Sequence, residues 1–408
     1  MYLRFWPAIA ALLLSQTVHA AQFTAAGKAE LDAYLQAAVT NTHIPGMVAL
    51  VVDRDGVIYE QAFGLMDSAK QRPMSPTAIF RLASMTKAIT STAAMILVEE
   101  GKVRLDAPVA DYLPGFDKLE VLSSWNAEDG SYTARPARTA MTVRHLLTNT
   151  SGLAYAFVSE PINKLTGGAI GGSAVGLPLQ FDPGTDWVYG ESTRVLGRLI
   201  EAVSGQDLAD FLRSRLLQPL GMPDTTFDVP LADHERVVTT HQYDGTRMTE
   251  TPNPDGVISS PHNGDGGLNG TARDYGRFIR LFLNEGRSDD VTVLQPATIA
   301  LMGRNHTAPV TIQAMHSTNL LVSRDFPLGA GSDSHALGFQ RTETMQPGLR
   351  SAGSLSWAGI YNTEFWIDPV QGIGAVLLMQ YLPFYDAAAI EVLQGFERRI
   401  YSDLRRPD

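Results

Sequence analysis

The chain has 408 residues, of which 44% are hydrophobic and 18% are charged, a composition typical of folded soluble proteins rather than disordered or fibrous ones. Its formal net charge of -11, without any block of Lys or Arg, argues against a nucleic-acid-binding surface. Because the chain has no cysteine, disulfides, thiol catalysis and thiolate metal sites are excluded.

The first 20 residues have the composition of a secretory signal. Arg4 supplies the positive start, residues 5–14 form a short apolar run, and small or tolerated residues end the segment at Ala20. A buried N-terminal helix is the alternative. We expect export to a bacterial periplasm or to the medium, and no later run is long enough to span a bilayer.

The remaining chain begins and ends with a mixture of helices and strands, whereas helices dominate its middle. Predicted helices cover residues 24–40, 88–100, 142–147, 192–203, 207–217, 271–284 and 387–404, and predicted strands cover 47–52, 57–63, 361–367 and 373–379. Residues 167–176 are glycine-rich but lack the preceding strand and following helix of a phosphate loop, so we interpret them as a surface or site-rim loop.

This distribution predicts an α+β fold in which an antiparallel β-sheet is flanked by the N- and C-terminal helices. Residues 21–90 and 335–408 would form that α/β domain, and residues 91–334 a mostly helical second lobe. A cleft between the two parts is the expected ligand site.

Ser84 and Lys87 are the first candidate catalytic pair. They lie three positions apart at the start of a predicted helix, so that the hydroxyl and the amine share one face. A neutral amine can take the proton of a serine, and a helix N-terminus offers unpaired N–H groups to an oxyanion. A helix cap followed by a solvated lysine is the ordinary alternative for so short a motif.

Further segments strengthen the catalytic interpretation. Together with the Ser84 segment they are FRLASMTK (80–87), HLLTNTSGL (145–153), PGTDWVY (183–189), GGL (266–268), WAG (357–359) and FWIDP (365–369). With these segments the chain resembles the serine hydrolases of the class C β-lactamase superfamily, and within it the family VIII carboxylesterases most. The segments occur in the family's order along nearly all of the chain after the signal.

The resemblance implies a role for each matching residue. Ser84 would be the acylated nucleophile, Lys87 its proton acceptor, and Tyr189 the residue that shares proton transfer. The backbone N–H groups of Ser84 and Ile360 would form the oxyanion hole.

Two departures from the β-lactamase pattern favour a neutral ester over a carboxylated β-lactam. Trp357, followed by Gly359, stands where β-lactamases have Lys-Thr-Gly, which removes the cation that binds a carboxylate. Glu191 stands where an asparagine offers its amide to the substrate, so we expect Trp357, Gly359 and Glu191 to contact the substrate. Asn149 replaces a frequent histidine in a turn that we take as structural.

The resemblance therefore implies a serine carboxylesterase that hydrolyses short-chain esters through a Ser84 acyl-enzyme, with a small-molecule ester as its partner. A class C-type β-lactamase or D-alanyl peptidase, and a non-catalytic binding protein on the same scaffold, remain alternatives. Tyr189 and Trp357 could instead serve packing, and His262-Asn263-Gly264 could be the third motif. We expect no cofactor and no metal, because the nine histidines show no close ligand spacing; the oligomeric state stays open.

Overall fold

A computed structural model describes residues 23–167, 175–251 and 262–404. The predicted signal and most of the glycine-rich segment at 167–176 lie outside the described residues. The helices are α1 (Ala25–Asn41), α2 (Thr86–Glu99), α3 (Val143–Leu147), α4 (Glu160–Leu165), α5 (Ser192–Ser204), α6 (Leu208–Leu212), α7 (Ala272–Leu283), α8 (Pro296–Met302) and α9 (Ala387–Asp403). None of these is both long and apolar enough to cross a membrane.

The strands are mostly short, apart from those at the centre of the main sheet. They are β1 (Gly46–Asp53), β2 (Val57–Asp67), β3 (Arg72–Pro73), β4 (Phe80–Arg81), β5 (Glu120–Trp125), β6 (Tyr132–Pro136), β7 (Thr240–Tyr243), β8 (Met248–Thr251), β9 (Asn269–Gly270), β10 (Arg287–Ser288), β11 (Val291–Thr292), β12 (Ser334–His335), β13 (Gln340–Arg341), β14 (Leu355–Gly359), β15 (Thr363–Asp368), β16 (Ile373–Leu378) and β17 (Tyr381–Leu382).

The main sheet joins the two ends of the chain. Its order is β12-β13-β14-β15-β16-β1-β2-β3, and every neighbouring pair is antiparallel. The central pair is β1 with β16, in the register Leu50↔Val376. The predicted α+β fold, with an antiparallel sheet built from both ends of the chain, is therefore confirmed.

Both faces of this sheet are covered, which explains why β1 is buried throughout and apolar from Met47 to Val52 instead of alternating. Ala49 and Val51 belong to one apolar cluster with residues of α1 and α9, such as Leu35 and Phe396. Val48 and Leu50 face the other cluster, which includes α7. Since α7 lies between residues 91 and 334, the segment predicted as the helical lobe also covers the second face of the sheet.

Local signals set several element boundaries. Thr24 and Thr271 cap α1 and α7 with their side-chain oxygens, and Asp53 accepts the N–H groups of the β1–β2 turn. The predicted helix over residues 207–217 is divided, because α6 ends at Leu212 and a wider π-type turn follows it to Leu217. Helix α2 is buried along almost its whole length, so it forms the centre of the helical part and holds Lys87 in the interior.

Candidate active site

Ser84 lies in a tight 3-10 turn, Ala83–Met85, between β4 and α2. Ala83 has a left-handed backbone with a φ of 48°, a conformation that costs a residue other than glycine on the order of 1 kcal/mol or more. The turn is held on both sides, since Leu82 N–H donates to Leu268 C=O at 2.9 Å and the Tyr275 hydroxyl donates to Met85 C=O at 3.0 Å. Ser84, the predicted nucleophile, is thus presented from a strained but well-anchored turn.

Lys87 is only 2% exposed, and its amine has three close oxygen neighbours. The Nζ atom lies 3.1 Å from Ser84 Oγ, 2.9 Å from the Tyr155 hydroxyl and 2.5 Å from the backbone oxygen of Asp265. An ammonium group would donate to all three oxygens. A neutral amine could donate to Tyr155 and Asp265 and direct its lone pair at the Ser84 hydroxyl, so the geometry suits proton transfer in either direction.

Tyr189 approaches Ser84 from the other side. Its hydroxyl lies 2.6 Å from Ser84 Oγ, and the side chain is 3% exposed. The backbone around it is clamped, because Tyr155 N–H donates to Tyr189 C=O at 3.2 Å and Val188 N–H donates to Asn149 C=O at 3.1 Å. Asn149 itself has a left-handed backbone with a φ of 54°, which suits a turn residue. The structure therefore brings Ser84, Lys87 and Tyr189 together.

Tyr155 and Asp265 form a second layer that the sequence did not predict. The Tyr155 hydroxyl donates to Asp265 Oδ2 at 2.5 Å while it accepts from Lys87, and Arg194 Nε donates to the same carboxylate oxygen at 3.1 Å. Burial and the neighbouring Asp265 charge hold the pKa of Tyr155 well above its usual range, so this tyrosine stays protonated. A protonated Tyr155 fixes the direction in which the Lys87 amine points.

Glu191 belongs to this second layer and not to the cavity wall. Its side chain is fully buried, with one oxygen 3.0 Å from Arg194 and the other accepting the Val175 N–H at 3.2 Å. Because Glu191 and Arg194 are three residues apart at the start of α5, they meet on one helical face. The prediction that Glu191 contacts the substrate is not supported by this position, and we reinterpret it as a partner of Arg194.

The third motif ends β14 directly beside the Ser84 turn. A Cβ atom on Gly359 would lie well inside 3.0 Å of Leu82 O, so only glycine allows this approach. The backbone N–H groups of Ser84 and Ile360 make no hydrogen bond within the described ranges, which leaves both available to an oxyanion. Gly359 is thus a packing residue for the predicted oxyanion hole, and it does not line the cavity.

A cavity of about 460 Å³ opens at these residues. Ser84, Tyr155, Tyr189 and Ile360 lie at one end, and aromatic side chains form the adjoining wall. These aromatic residues are Phe157, Phe326, Trp357 and Phe384. The Trp357 ring lies 5.1 Å from the ring of Tyr189, and its indole N–H has no hydrogen-bond partner among the described residues. The volume and the aromatic lining are typical of a small-molecule site.

One other sequence-based suggestion does not join the cavity. His262, the alternative third-motif residue, contacts the carboxylates of Asp207 and Asp228 and is not part of the cavity wall. No cluster of His, Asp and Glu able to hold a metal occurs in residues 23–167, 175–251 or 262–404.

Two named enzymes and a solved structure are similar to this chain over most of its length. The esterase EstB of Burkholderia gladioli is 30% identical over 397 residues, covering 86% of this chain and 89% of EstB. The ML-236A carboxylate methylbutanoyltransferase of Penicillium citrinum is 28% identical over 419 residues, covering 94% and 96%. The solved structure of simvastatin synthase LovD from Aspergillus terreus, unliganded, aligns with a TM-score of 0.80 and 25% identity, covering 94% of this chain and all of LovD.

A family model described as beta-lactamase matches residues 31–394, which include the Ser84 turn, the Tyr189 segment and the Trp357 strand. Esterase and acyltransferase relatives and the LovD fold agree with that match. The chain therefore belongs to the beta-lactamase family and is a serine hydrolase of that fold.

Proposed function

We propose that the protein is a serine carboxylesterase of the family VIII type, which hydrolyses short-chain carboxylic esters through an acyl-enzyme on Ser84. The observation that supports this most directly is the position of Ser84 Oγ, 3.1 Å from the Lys87 amine and 2.6 Å from the Tyr189 hydroxyl. Both distances allow proton transfer to or from the nucleophile without rearrangement.

In the acylation step, Lys87 takes the Ser84 proton while Oγ attacks the ester carbonyl. The carbonyl oxygen becomes an oxyanion that accepts hydrogen bonds from the N–H groups of Ser84 and Ile360, and one such donor contributes about 2.7–4 kcal/mol. The bond to the alcohol then breaks, and the alcohol leaves with a proton delivered through Tyr189. Water repeats the sequence on the acyl-enzyme and releases the acid.

The cavity argues for esters over carboxylated β-lactams. Trp357 occupies the place of the lysine, and the only basic side chain among the described cavity-lining residues is Arg350, which is bound to Glu397 at 2.7 Å. No cation is left over to hold a substrate carboxylate, whereas the aromatic wall suits an apolar acyl or alcohol group.

Acyl transfer to an alcohol is the second candidate, because a relative 28% identical along 94% of the chain is named a methylbutanoyltransferase. The acyl-enzyme would be the same, and only the acceptor would differ.

Export by the first 20 residues is also part of the proposal. Its basis is their sequence: Arg4, the apolar run and the small residues near Ala20.

The test compares p-nitrophenyl esters of increasing acyl length with a chromogenic cephalosporin, using the wild type and Ser84→Ala. We expect ester turnover far above cephalosporin turnover, trapping of an adduct at Ser84 by a fluorophosphonate, and loss of both in Ser84→Ala. Retained turnover in Ser84→Ala would refute the nucleophile. Adding an alcohol and analysing the products separates hydrolysis from acyl transfer, and failure of every activated acyl donor to label Ser84 would favour a binding protein.

A further inference from the structure

The cavity that Ser84 lines is also lined by a group of charged side chains from separate parts of the fold. Asp333 precedes β12, Arg350 precedes β14, Glu364 lies on β15 and Glu397 lies on α9. We call these four residues the acidic end of the cavity. They are mostly buried, so their charges are weakly screened and must be balanced locally.

Arg350 is matched by Glu397. The guanidinium Nε and NH2 atoms donate to the two carboxylate oxygens at 2.8 and 2.7 Å, and the Arg350 backbone N–H donates to the same carboxylate at 2.9 Å. Such a bidentate salt bridge neutralises both charges. The Arg350 guanidinium is therefore already paired with the Glu397 carboxylate.

Glu364 has no comparable partner. Its side chain is 8% exposed and lines the cavity, and within the described residues its carboxyl makes no hydrogen bond or ion pair. It lies opposite Ala358 across the β14–β15 pair, and Ala358 is two residues before Ile360. Strand geometry then puts the Cα atoms of Glu364 and Ile360 within about 10 Å.

Asp333 adds a second carboxyl without a cation. Among the described residues, its oxygens accept only from the neutral Gln340 amide at 2.8 Å and the Glu343 backbone N–H at 3.3 Å. Burial raises the pKa of Asp333, and burial raises that of Glu364 to about 8 against the opposing charge of Arg350. Three carboxyl groups thus share one guanidinium, and the excess becomes negative as Glu364 ionises above its pKa of about 8.

We propose that the acidic end of the cavity binds a cationic ammonium group carried by the substrate, with Glu364 as its principal partner. This inference rests on the proposed ester hydrolysis at Ser84 and names the substrate class for it. A positive group would supply the counter-charge that the buried carboxyls lack, and Phe326, Phe384 and Tyr385 offer aromatic faces to it on the same wall. A carboxylated substrate would be repelled by the same residues.

The experiment compares substrate pairs that differ only in charge. With the cation on the alcohol side, butyrylthiocholine is compared with S-(3,3-dimethylbutyl) thiobutyrate. With the cation on the acyl side, the p-nitrophenyl ester of 4-(trimethylammonio)butanoate is compared with that of 5,5-dimethylhexanoate. Because the chain has no cysteine, thiol release is measured without background from the protein.

For at least one pair, we expect kcat/KM of the wild type to be about tenfold higher for the cationic substrate than for its neutral isostere, equivalent to about 1.4 kcal/mol. The preference should be larger at about pH 9 than at about pH 6.5, on either side of the Glu364 pKa of about 8, because ionisation strengthens the attraction. Glu364→Gln keeps the shape of the side chain and should abolish both the preference and its pH dependence. Glu391→Gln, an exposed glutamate on α9, is the matched control and should behave as the wild type.

A preference within about twofold of unity for both pairs, or one that survives in Glu364→Gln, would overturn the inference while the neutral esters still report hydrolysis. Calorimetry with choline and the isosteric 3,3-dimethylbutan-1-ol gives a readout independent of turnover. Tighter binding of choline to the wild type than to Glu364→Gln supports the cation site, and equal binding contradicts it. Absence of neutral-ester turnover would instead refute the proposed function.

Discussion

Gly359 gives the sharpest test of the site, because the end of β14 contacts the Ser84 turn at this residue without a side chain between them. In Gly359→Ala the new Cβ would lie inside 3.0 Å of the Leu82 carbonyl oxygen and 3.3 Å from Ala83 Cβ. The Leu82 oxygen belongs to the backbone, so the clash is relieved only if the two chain segments separate by at least about 0.7 Å.

That separation acts on the oxyanion hole, because Ile360 N–H directly follows Gly359 and Ser84 N–H lies on the opposing turn. Hydrogen-bond donors of an oxyanion hole lie about 2.7–3.1 Å from the oxyanion, and losing one donor typically lowers kcat by about 10²–10³-fold. We therefore expect kcat for a p-nitrophenyl ester to fall in that range, while KM changes little because the cavity wall stays in place.

The assay is steady-state ester hydrolysis together with thermal unfolding of the same preparations. Gly303→Ala is the matched control, since its backbone φ is -80° and the nearest atom to its Cβ would be 3.7 Å away. It should retain wild-type kcat. A folded Gly359→Ala variant with kcat within about threefold of the wild type would refute the assignment of Ile360 N–H to the oxyanion hole.

Two further substitutions test the supporting residues. Tyr155→Phe removes the hydroxyl between Lys87 and Asp265. We expect kcat/KM to fall, with a loss of transition-state stabilisation of about 1.5–3 kcal/mol, and the pH–rate profile to shift. An unchanged profile would contradict an orienting role for Tyr155. Burial lowers the pKa of His335 to about 4 from a usual 6.5, so the unfolded state takes up a proton first on acidification. The contribution of His335 to the free energy of unfolding should therefore fall by roughly 3 kcal/mol between about pH 7 and pH 4. Urea titrations should show a smaller fall over this range in His335→Gln than in the wild type. An equal fall in the two proteins would refute the contribution of His335.

The grouping of Ser84, Lys87 and Tyr189 was predictable because each residue lies in a short local pattern. Ser84 and Lys87 are one helical turn apart, and Tyr189 follows a Pro-Gly-x-x-Trp segment just before a helix. The outer strands of the sheet were harder. The β14 segment, Leu355–Gly359, contains small residues and no strong alternation, and it becomes a strand through pairing with β13 and β15.

The residues that orient Lys87 were missed because their contacts join distant parts of the chain. Lys87 and Asp265 are 178 positions apart, and Tyr155 and Asp265 are 110 apart. Weak signals did exist, since Tyr155 follows the Ser-Gly-Leu turn and Asp265 precedes Gly-Gly-Leu. The misplaced role of Glu191 has the same origin: a motif gives the position of a residue, whereas Arg194 decides the direction of its side chain.

The electrostatic balance of the cavity links these observations. Lys87 is held by neutral oxygens of Ser84, Tyr155 and the Asp265 backbone, and the Asp265 carboxylate is held away from it by Arg194 and the Tyr155 hydroxyl. The same fold that keeps anions from contacting Lys87 places two carboxyls without a cationic partner among the described residues, Asp333 and Glu364, in the wall of the cavity that Ser84 also lines. A substrate that carries a positive charge remote from its ester would satisfy these carboxyls without placing a charge beside Lys87.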